Sequence, residues 1–408
     1  MTRRTDFDVV IAGGGMIGSS LALALAPLGL RVAVVEAIDR RAADQPSFDE
    51  RTTALSRSSQ RTFEALGLWP RIRAAATPIT RIHVSDQGRF GFSHLDAAEQ
   101  GVEALGYVVI NRVLGEVLQD ALREAPGVEL FCPARITSLA QAGNRVTAHA
   151  DAGGITRLFD AALLVAADGA ASAVRGMLGI GVRRVDYGQH AVIGNLQPEK
   201  PHRQQAFERF TPQGPLALLP LTDRRMAFVW TLDPAGERLD CDDAAFVAAL
   251  QAAFGLRLGR FTRVGKRSGY PLSLSKAHRL VSGRAVLVGN AAHGLHPVAA
   301  QGFNLGLRDV AALADCIADA RTNEPPDPGN AAVLARYADW RRADQHKLVG
   351  FTDGLVRLFG SDRPGVGLLR DAGMLAFDLV PGVRRLFARH TMGLAGRLPR
   401  LSRGVPLE

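Results

Sequence analysis

A glycine-rich turn near the N-terminus constrains the fold of this chain more than any other feature. Gly13, Gly15 and Gly18 form a G-x-G-x-x-G pattern. The largely apolar run 7–12 precedes it, and the Ala- and Leu-rich segment 16–28 follows it. In this pattern the first glycine permits a tight turn, the second lets the backbone approach a pyrophosphate, and the third lets helix and strand pack closely. The sequence therefore predicts a βαβ unit that binds a dinucleotide.

The residues around this turn indicate which dinucleotide it suits. Met16 and Ile17 would begin the helix, so that free N–H groups and the positive end of the helix dipole face the phosphates. The run 31–35 predicts a second strand, and Glu36 stands at its end. A carboxylate at this place can accept hydrogen bonds from both ribose hydroxyls and disfavours a 2′-phosphate. We therefore expect FAD or NAD rather than NADP in this pocket.

Composition excludes several other classes of protein. Of the 408 residues, 47% are hydrophobic and 22% charged, which is typical of a packed globular protein and too apolar for a disordered one. The net charge of +9 fits anionic partners, although arginine-rich coding composition explains it equally well. Cys132, Cys241 and Cys316 stand far apart, which indicates a reducing compartment. No apolar stretch is long enough to span a membrane, so we expect a cytoplasmic protein.

The pattern of apolar and polar residues changes twice along the chain, which predicts two interleaved domains. Residues 163–167 and 285–289 are typical of buried parallel strands, whereas 183–275 alternates and is rich in turns. The predicted fold is α/β: a Rossmann-like domain interleaved with a mostly antiparallel substrate sheet, followed by C-terminal helices. The predicted boundaries are 1–75, 100–182 and 276–345 for the Rossmann-like domain, 76–99 and 183–275 for the sheet, and 346–408 for the helical segment.

Two later segments complete a family pattern. Asp168, Ser172 and Arg175 form D-G-x-x-S-x-x-R, and residues 289–309 read G-N-A-A-H-G-L-H-P-V-A-A-Q-G-F-N-L-G-L-R-D. Together with the glycine turn, they resemble the class A flavin monooxygenases of the para-hydroxybenzoate hydroxylase type. Asn290 replaces the usual Asp of that family, and Ala300 replaces a usual Gly. Residues 49–56 and 207–220 resemble the ubiquinone-biosynthesis hydroxylases, above all the 2-polyprenyl-6-methoxyphenol hydroxylases.

The resemblance implies FAD as the cofactor, and it implies a set of site residues. The implied FAD-binding residues are Gly13, Gly15, Met16, Ile17, Gly18, Glu36, Arg51, Arg112, Asp168, Asn290, Gln301, Gly302, Phe303 and Asn304. Arg51, His296 and Pro297 are expected at the flavin face. Asp168 and Arg175 would meet NAD(P)H, with an ion pair inside their segment as the alternative. Phe210, Leu218, Pro220 and Phe228 are the substrate candidates, although plain core packing also explains them. No metal site is expected, since no further ligand accompanies His293 and His296.

The resemblance also implies a reaction and its partners. NAD(P)H reduces FAD, O2 gives a flavin C4a-hydroperoxide, and one oxygen passes to the aromatic ring of a polyprenyl phenol in ubiquinone biosynthesis. Three alternatives stay open: an isoprenoid reductase of the geranylgeranyl type, a hydroxylase of another small aromatic, and a lipid carrier without enzymatic activity. No nucleic acid is expected.

The C-terminal tail allows two further readings. Residues 351–408 hold nine arginines against five acids, interleaved with apolar residues. Such a segment can lie on the inner face of an anionic membrane or dock a ubiquinone-biosynthesis complex. Alternatively, it forms a helical cap on the Rossmann-like domain.

Overall fold

The computed structural model of the chain describes residues 3–39, 51–88, 92–232, 236–294, 301–321, 327–359 and 381–407. The strands are β1 (Arg3–Ala12), β2 (Val32–Val35), β3 (Thr52–Ser56), β4 (Thr77–Ile79), β5 (Arg81–Asp86), β6 (Phe92–Asp96), β7 (Gly106–Ile110), β8 (Val128–Phe131), β9 (Arg135–Ala142), β10 (Arg145–Ala152), β11 (Ile155–Ala166), β12 (Val182–Pro198), β13 (Gln205–Thr211), β14 (Gly214–Pro220), β15 (Met226–Leu232), β16 (Phe261–Val264), β17 (Ser268–Ala277), β18 (Val281–Ser282), β19 (Ala285–Leu287) and β20 (His293–Gly294). The helices are α1 (Met16–Leu25), α2 (Arg57–Ala65), α3 (Trp69–Arg73), α4 (Asn111–Glu124), α5 (Ala173–Met177), α6 (Gly236–Asp240), α7 (Asp243–Phe254), α8 (Gln301–Ala320), α9 (Ala331–Phe359) and α10 (Pro381–Thr391).

A parallel sheet forms the first layer of the molecule. Its strands lie in the order β18-β19-β11-β1-β2-β8, and β10 and β9 extend it from β11. The pairs from β19 to β8 are parallel. Val9, Val10 and Ile11 in the central strand are fully buried, in a core that also contains apolar side chains of α1, α4, α8, β9 and β10. This arrangement confirms the predicted Rossmann-like α/β fold.

A second, mostly antiparallel sheet runs β20-β17-β12-β15-β14-β13-β5-β6, with β16 paired to β12. Its strands come from 81–96 and 182–277, together with the short β20, so that strands of the parallel sheet precede and follow it in the chain. Thr77–Ile79, which falls in the segment predicted for the substrate sheet, pairs instead with β7 in a small third sheet, β3-β7-β4.

Helix α7 covers one face of the second sheet. Its Phe246 and Leu250 are fully buried and pack with Phe228 and Trp230 of β15. The Phe228 and Phe246 rings lie 5.5 Å apart. On the opposite face, Ala227 packs with Val108 of the third sheet. One side of the sheet therefore forms a closed core, and the other faces the nucleotide-binding part.

The end of the chain closes the molecule. Arg400 binds Asp315 and Asp319 of α8. Leu401 and Leu407 are buried in the main core, 1% and 4% exposed. The described part of the tail thus serves as the predicted cap, whereas residues 360–380 lie outside the described part. Among the described helices, none combines the length and the apolar character needed to cross a membrane.

Candidate cofactor and substrate site

The glycine turn joins β1 to α1, and its backbone geometry explains two of its glycines. Gly13 has a φ of +99°, and a Cβ there would lie 2.6 Å from the carbonyl oxygen of Ala167. A Cβ on Gly18 would clash with the carbonyl oxygen of Gly13. The first and third glycines are therefore required for the turn and for helix–strand packing, as the pattern predicts.

Glu36 stands at the carboxyl end of β2 and faces the turn. Its carboxylate accepts hydrogen bonds from the N–H of Gly14 at 2.6 Å and from the N–H of Ile38 at 2.8 Å. These bonds fix the carboxylate beside the turn while each oxygen keeps acceptor capacity. The position fits the predicted contact with a ribose.

Gln119 of α4 supports the same turn, although it is not among the residues predicted from the sequence. Its Nε2 donates to the carbonyl of Gly14 at 2.9 Å, and the Ser19 hydroxyl donates to that same oxygen at 2.8 Å. The signal in the sequence was a polar residue on the apolar face of a helix, next to Leu118 and Leu122. Burial of an amide requires a partner, which here is the turn itself.

Gly289 and Gly306 both lie directly against the start of α1. A Cβ on Gly289 would be 3.2 Å from Ile17, and a Cβ on Gly306 would be 2.9 Å from it. Ile17 thus fills the junction between the two motifs, and the helix α8 that follows is brought beside the glycine turn. The glycine turn and these two glycines of the second motif, separated by about two thirds of the chain, thus lie in one region.

Residues at the start of α8 have different surroundings. A Cβ on Gly302 would meet no described atom within 4 Å, so the described residues leave this backbone uncovered. Phe303 stacks on Phe63 of α2, with ring centroids 6.4 Å apart. The amide of the buried Asn304 accepts from the N–H of Ser56 at 2.9 Å and donates to Ala54 at 2.9 Å. Asn304 therefore ties α8 to β3.

Three of the residues predicted to bind the flavin lie wholly or partly outside the described part of the chain. His296 and Pro297 lie outside the described residues, and the side chain of Gln301 is also outside them. Asn290 is exposed in a short turn, Gly289–Ala291, next to the junction at Ile17.

Arg51 and Arg112, the two arginines predicted to bind FAD, have different surroundings in the structure. Arg51 lies over the ring of Tyr270 at 5.2 Å and so joins the start of β3 to the second sheet. Arg112 stands in the first turn of α4 and pairs with Glu116 at 3.1 Å.

Asp168 and Arg175 bind neighbouring groups of the backbone. Asp168 accepts from the N–H of Val174 in the first turn of α5 at 3.1 Å and from the hydroxyl of Ser172, the N-cap of that helix. Arg175 donates to the carbonyls of Ala170 and Ala291, both at 2.9 Å. The alternative of an ion pair between the two side chains is wrong for this structure. Arg175 instead ties the D-G-x-x-S-x-x-R segment to the turn that carries Asn290.

The four substrate candidates fall on different faces of the second sheet. Leu218 and Phe228 are 0% and 1% exposed and pack under α7 with Phe246. Pro220 follows Leu218 by two residues on β14 and shares its face. Their position does not support the predicted substrate contact, because α7 already covers that face. Phe210 lies on the opposite face, since Phe207 of the same strand packs under α7.

A buried charge network underlies the Asn290 turn. Asp309 of α8 accepts from the N–H of Gly289 at 2.9 Å, from His293 Nε2 at 2.6 Å and from Arg341 Nε at 2.6 Å. Burial alone would raise the pKa of Asp309, but His293 and Arg341 hold it below its ordinary value. Arg341, fully buried on α9, also pairs with Asp344. The turn beside the glycine motif is therefore anchored from two helices.

These residues fit the FAD group that the sequence implies. The turn at Gly13 places the start of α1 at the carboxyl end of β1, Glu36 stands beside this turn, and no described atom covers the backbone at Gly302. Anionic phosphates at a helix N-terminus and a ribose beside a carboxylate are the chemistry that such donors and acceptors serve.

Comparisons with known proteins agree with FAD as the cofactor. A family model described as FAD binding domain matches residues 6–352. Ubiquinone hydroxylase UbiL of Rhodospirillum rubrum is 42% identical over 98% of this chain and 93% of its own length. The 3-demethoxyubiquinol 3-hydroxylase of Escherichia coli is 34% identical over 95% of this chain and 98% of its own. Among solved structures, p-nitrophenol 4-monooxygenase PnpA of Pseudomonas putida superposes with a TM-score of 0.80 at 21% identity, covering 97% of this chain and 99% of that one.

The match to the FAD-binding model spans most of the chain, and the two hydroxylases align along nearly all of it. The family resemblance drawn from the motifs is thereby confirmed. The chain belongs to the FAD-dependent flavin hydroxylases, in the family that includes the ubiquinone hydroxylases.

Proposed function

We propose that this protein hydroxylates the aromatic ring of a polyprenyl phenol in ubiquinone biosynthesis, with FAD as cofactor, NAD(P)H as electron donor and O2 as co-substrate. The observation that carries the proposal is the 42% identity, over nearly the whole chain, to a ubiquinone hydroxylase. The meeting of the glycine turn and the start of α8 at Ile17 supports it, because a flavin needs both.

The residues of this chain would hold the cofactor at three points. Backbone N–H groups at Gly15, Met16 and Ile17 would bind the pyrophosphate, and Glu36 would accept from the ribose. The backbone at Gly302 would face the flavin ring. FAD supplies the electron transfer and oxygen activation when it is bound, and the protein contributes position and exclusion of water.

The proposed contact with NAD(P)H rests on fixed charge. Arg175 is held by two carbonyl groups, and Asp168 is held by the cap of α5. We therefore propose that Arg175 attracts the phosphates of NAD(P)H from this fixed position, without breaking its bonds to the backbone.

The test is a product analysis with isotopically labelled dioxygen. The purified protein should be yellow, should oxidise NAD(P)H when a 2-polyprenyl phenol is added, and should place one labelled oxygen on the ring. A product with a reduced isoprenoid double bond and no label would favour the reductase instead. A colourless protein that binds the phenol without turnover would favour a lipid carrier.

The hydroxylated ring carbon calls for a second experiment. The quinone precursor that accumulates in a deletion strain identifies the missing step. Accumulation of no precursor would contradict the placement of this protein in the pathway.

The C-terminal tail also suggests where in the cell the enzyme is located. Leu386 of α10 is 60% exposed, and Arg385 and Arg389 beside it are also exposed. A polyprenyl tail partitions into lipid, so the enzyme must reach its substrate there. We propose that α10 rests on the anionic inner face of the membrane, with the body of the protein in the cytoplasm.

A further inference from the structure

A row of half-buried residues crosses the second sheet on the face opposite α7, which we call the cleft face. The strand register aligns Val84, Glu208, Ala217, Val229 and Ile193 side by side. All five keep part of their surface accessible, whereas residues under α7 are closed off. Glu208 is the single charged group in this row.

The cleft face is turned toward the nucleotide-binding part. Two residues before Glu208, Ala206 packs with Ile79 and Val108 of the third sheet. At the other end of the face, Arg51 covers Tyr270, which pairs with Ala191 two residues from Ile193. Contacts with the nucleotide-binding part therefore flank the row, and Glu208 lies between these contacts.

The carboxyl group of Glu208 is desolvated yet reachable. Among the described residues, its side chain has no hydrogen-bond or ion-pair partner, and part of it stays accessible. Burial alone raises the pKa of Glu208 to about 7, with no charged neighbour contributing. A carboxyl group that is largely desolvated but still partly accessible to solvent is typical of the lining of a cleft rather than of a closed core. An unpaired buried carboxyl is costly, which makes a functional role the stronger explanation.

The chemistry of this row specifies its ligand. Its apolar side chains suit an uncharged aromatic ring, and its one acceptor suits a hydroxyl donor on that ring. We infer that Glu208 receives the ring hydroxyl of the substrate and acts as its general base, an assignment that rests on the proposed function. The phenolic O–H bond breaks, its proton moves to Glu208 Oε, and the electron pair stays on the phenolic oxygen. The ring thereby becomes richer in electrons, which favours its attack on an electrophilic oxygen.

The experiment compares Glu208→Gln with the wild type and a matched control. Gln keeps the size of the side chain and removes the base. Glu129→Gln is the control, because Glu129 is an exposed strand residue of the first sheet. The substrates are 2-geranylphenol and its methyl ether, which lacks the hydroxyl proton. The readouts are flavin content, the dissociation constant for each compound, and kcat/KM for the phenol across pH.

We expect Glu208→Gln to retain flavin and to lose about 10²-fold or more in kcat/KM for the phenol. The wild-type profile should fall on the acid side of about pH 7, and this limb should be absent in the variant. Wild type should bind the phenol more tightly than the ether, and the variant should discriminate less between them. Glu129→Gln should match the wild type in every readout.

The outcomes separate this inference from the proposed function. If the wild type hydroxylates the phenol and Glu208→Gln keeps both the rate and the acid limb, Glu208 is not the base and the inference is overturned. If the wild type does not hydroxylate any polyprenyl phenol, the proposed function itself fails. Loss of flavin from Glu208→Gln would also overturn the inference, because it would assign the residue to the fold or to cofactor binding.

Discussion

At the residue scale, buried charged residues that anchor the site differ from charged residues exposed on the surface. Asp309 and Arg341 are both fully buried, 2.6 Å apart, and Asp309 also receives the N–H of Gly289. Each of these two charges largely neutralises the other. Removing one therefore leaves the other buried without its counter-charge, in surroundings that solvate it poorly. Asp309 belongs to the motif that the sequence displays, whereas its partner Arg341, on the next helix, belongs to no motif.

Asp309→Asn should therefore lower the free energy of unfolding by about 3–5 kcal/mol, because Arg341 loses its main counter-charge. Urea unfolding at neutral pH measures this. Asp339→Asn is the matched control on α9, since Asp339 pairs with Arg342 in an exposed i,i+3 pair. It should cost about 0.5 kcal/mol or less. Equal effects of the two substitutions would contradict the role of the buried network.

Glu208 gives a second prediction at this scale, and the sign follows from its raised pKa. The folded protein holds the Glu208 proton up to about pH 7, whereas the unfolded chain releases it at lower pH. Glu208 therefore contributes a stability that is present in acid and lost as pH rises toward and through 7. Glu208→Gln removes this dependence, so its melting temperature should exceed that of the wild type at about pH 8 and match it at about pH 4. Thermal melts of both proteins at the two pH values test this, and a variant less stable at the higher pH would refute it.

At the scale of elements, the first strand, turn and helix form where the sequence predicts them. The strand predicted at 7–12 is the end of β1, and the helix predicted at 16–28 is α1 followed by a short 3-10 turn. Gly29, which directly follows this segment, adopts a φ of +67° and ends it. These elements depend on local pattern and on glycine stereochemistry, which a sequence displays directly.

Two glycine substitutions distinguish packing from ligand approach. Gly18→Ala places a Cβ against the carbonyl of Gly13, so it should lower stability by about 1–3 kcal/mol and release flavin. Gly302→Ala meets open space in the described structure, so it should leave the flavin-free protein as stable as the wild type. It should nonetheless weaken flavin binding if the ring approaches that backbone. Unfolding of the apoprotein and flavin titration measure both effects, and an unstable Gly302→Ala apoprotein would be inconsistent with this assignment.

At the scale of the whole molecule, the tail contributes to the core and presents an outer surface. Leu401 and Leu407 are buried, whereas Leu386 is exposed next to arginines. The cap and the proposed membrane contact thus involve different residues of the same tail. The overall excess of basic residues acts in the same direction as the proposed attraction to anionic lipid.

Leu386→Glu should weaken cosedimentation with anionic phospholipid vesicles by about tenfold or more, since a buried leucine contributes about 1.5–3 kcal/mol. Leu256→Glu is the control, because Leu256 is similarly exposed, 67% against 60%, and follows α7 instead. Binding that is unchanged by Leu386→Glu, or equally weakened by both substitutions, would remove α10 from the membrane contact.

The sequence by itself determined the βαβ start, the interleaving of two kinds of sheet and the family, and it predicted Glu36 as the contact with the ribose of a dinucleotide. Each of these depends on local periodicity or on motifs whose spacing is fixed along the chain. Only the tertiary structure decided which face of the second sheet is core, so that Leu218 and Phe228 lie under α7 whereas Phe210 and Glu208 face the cleft. Alternation along a strand reveals that two faces differ, but not which one a distant helix covers, because that depends on packing between segments far apart in the chain.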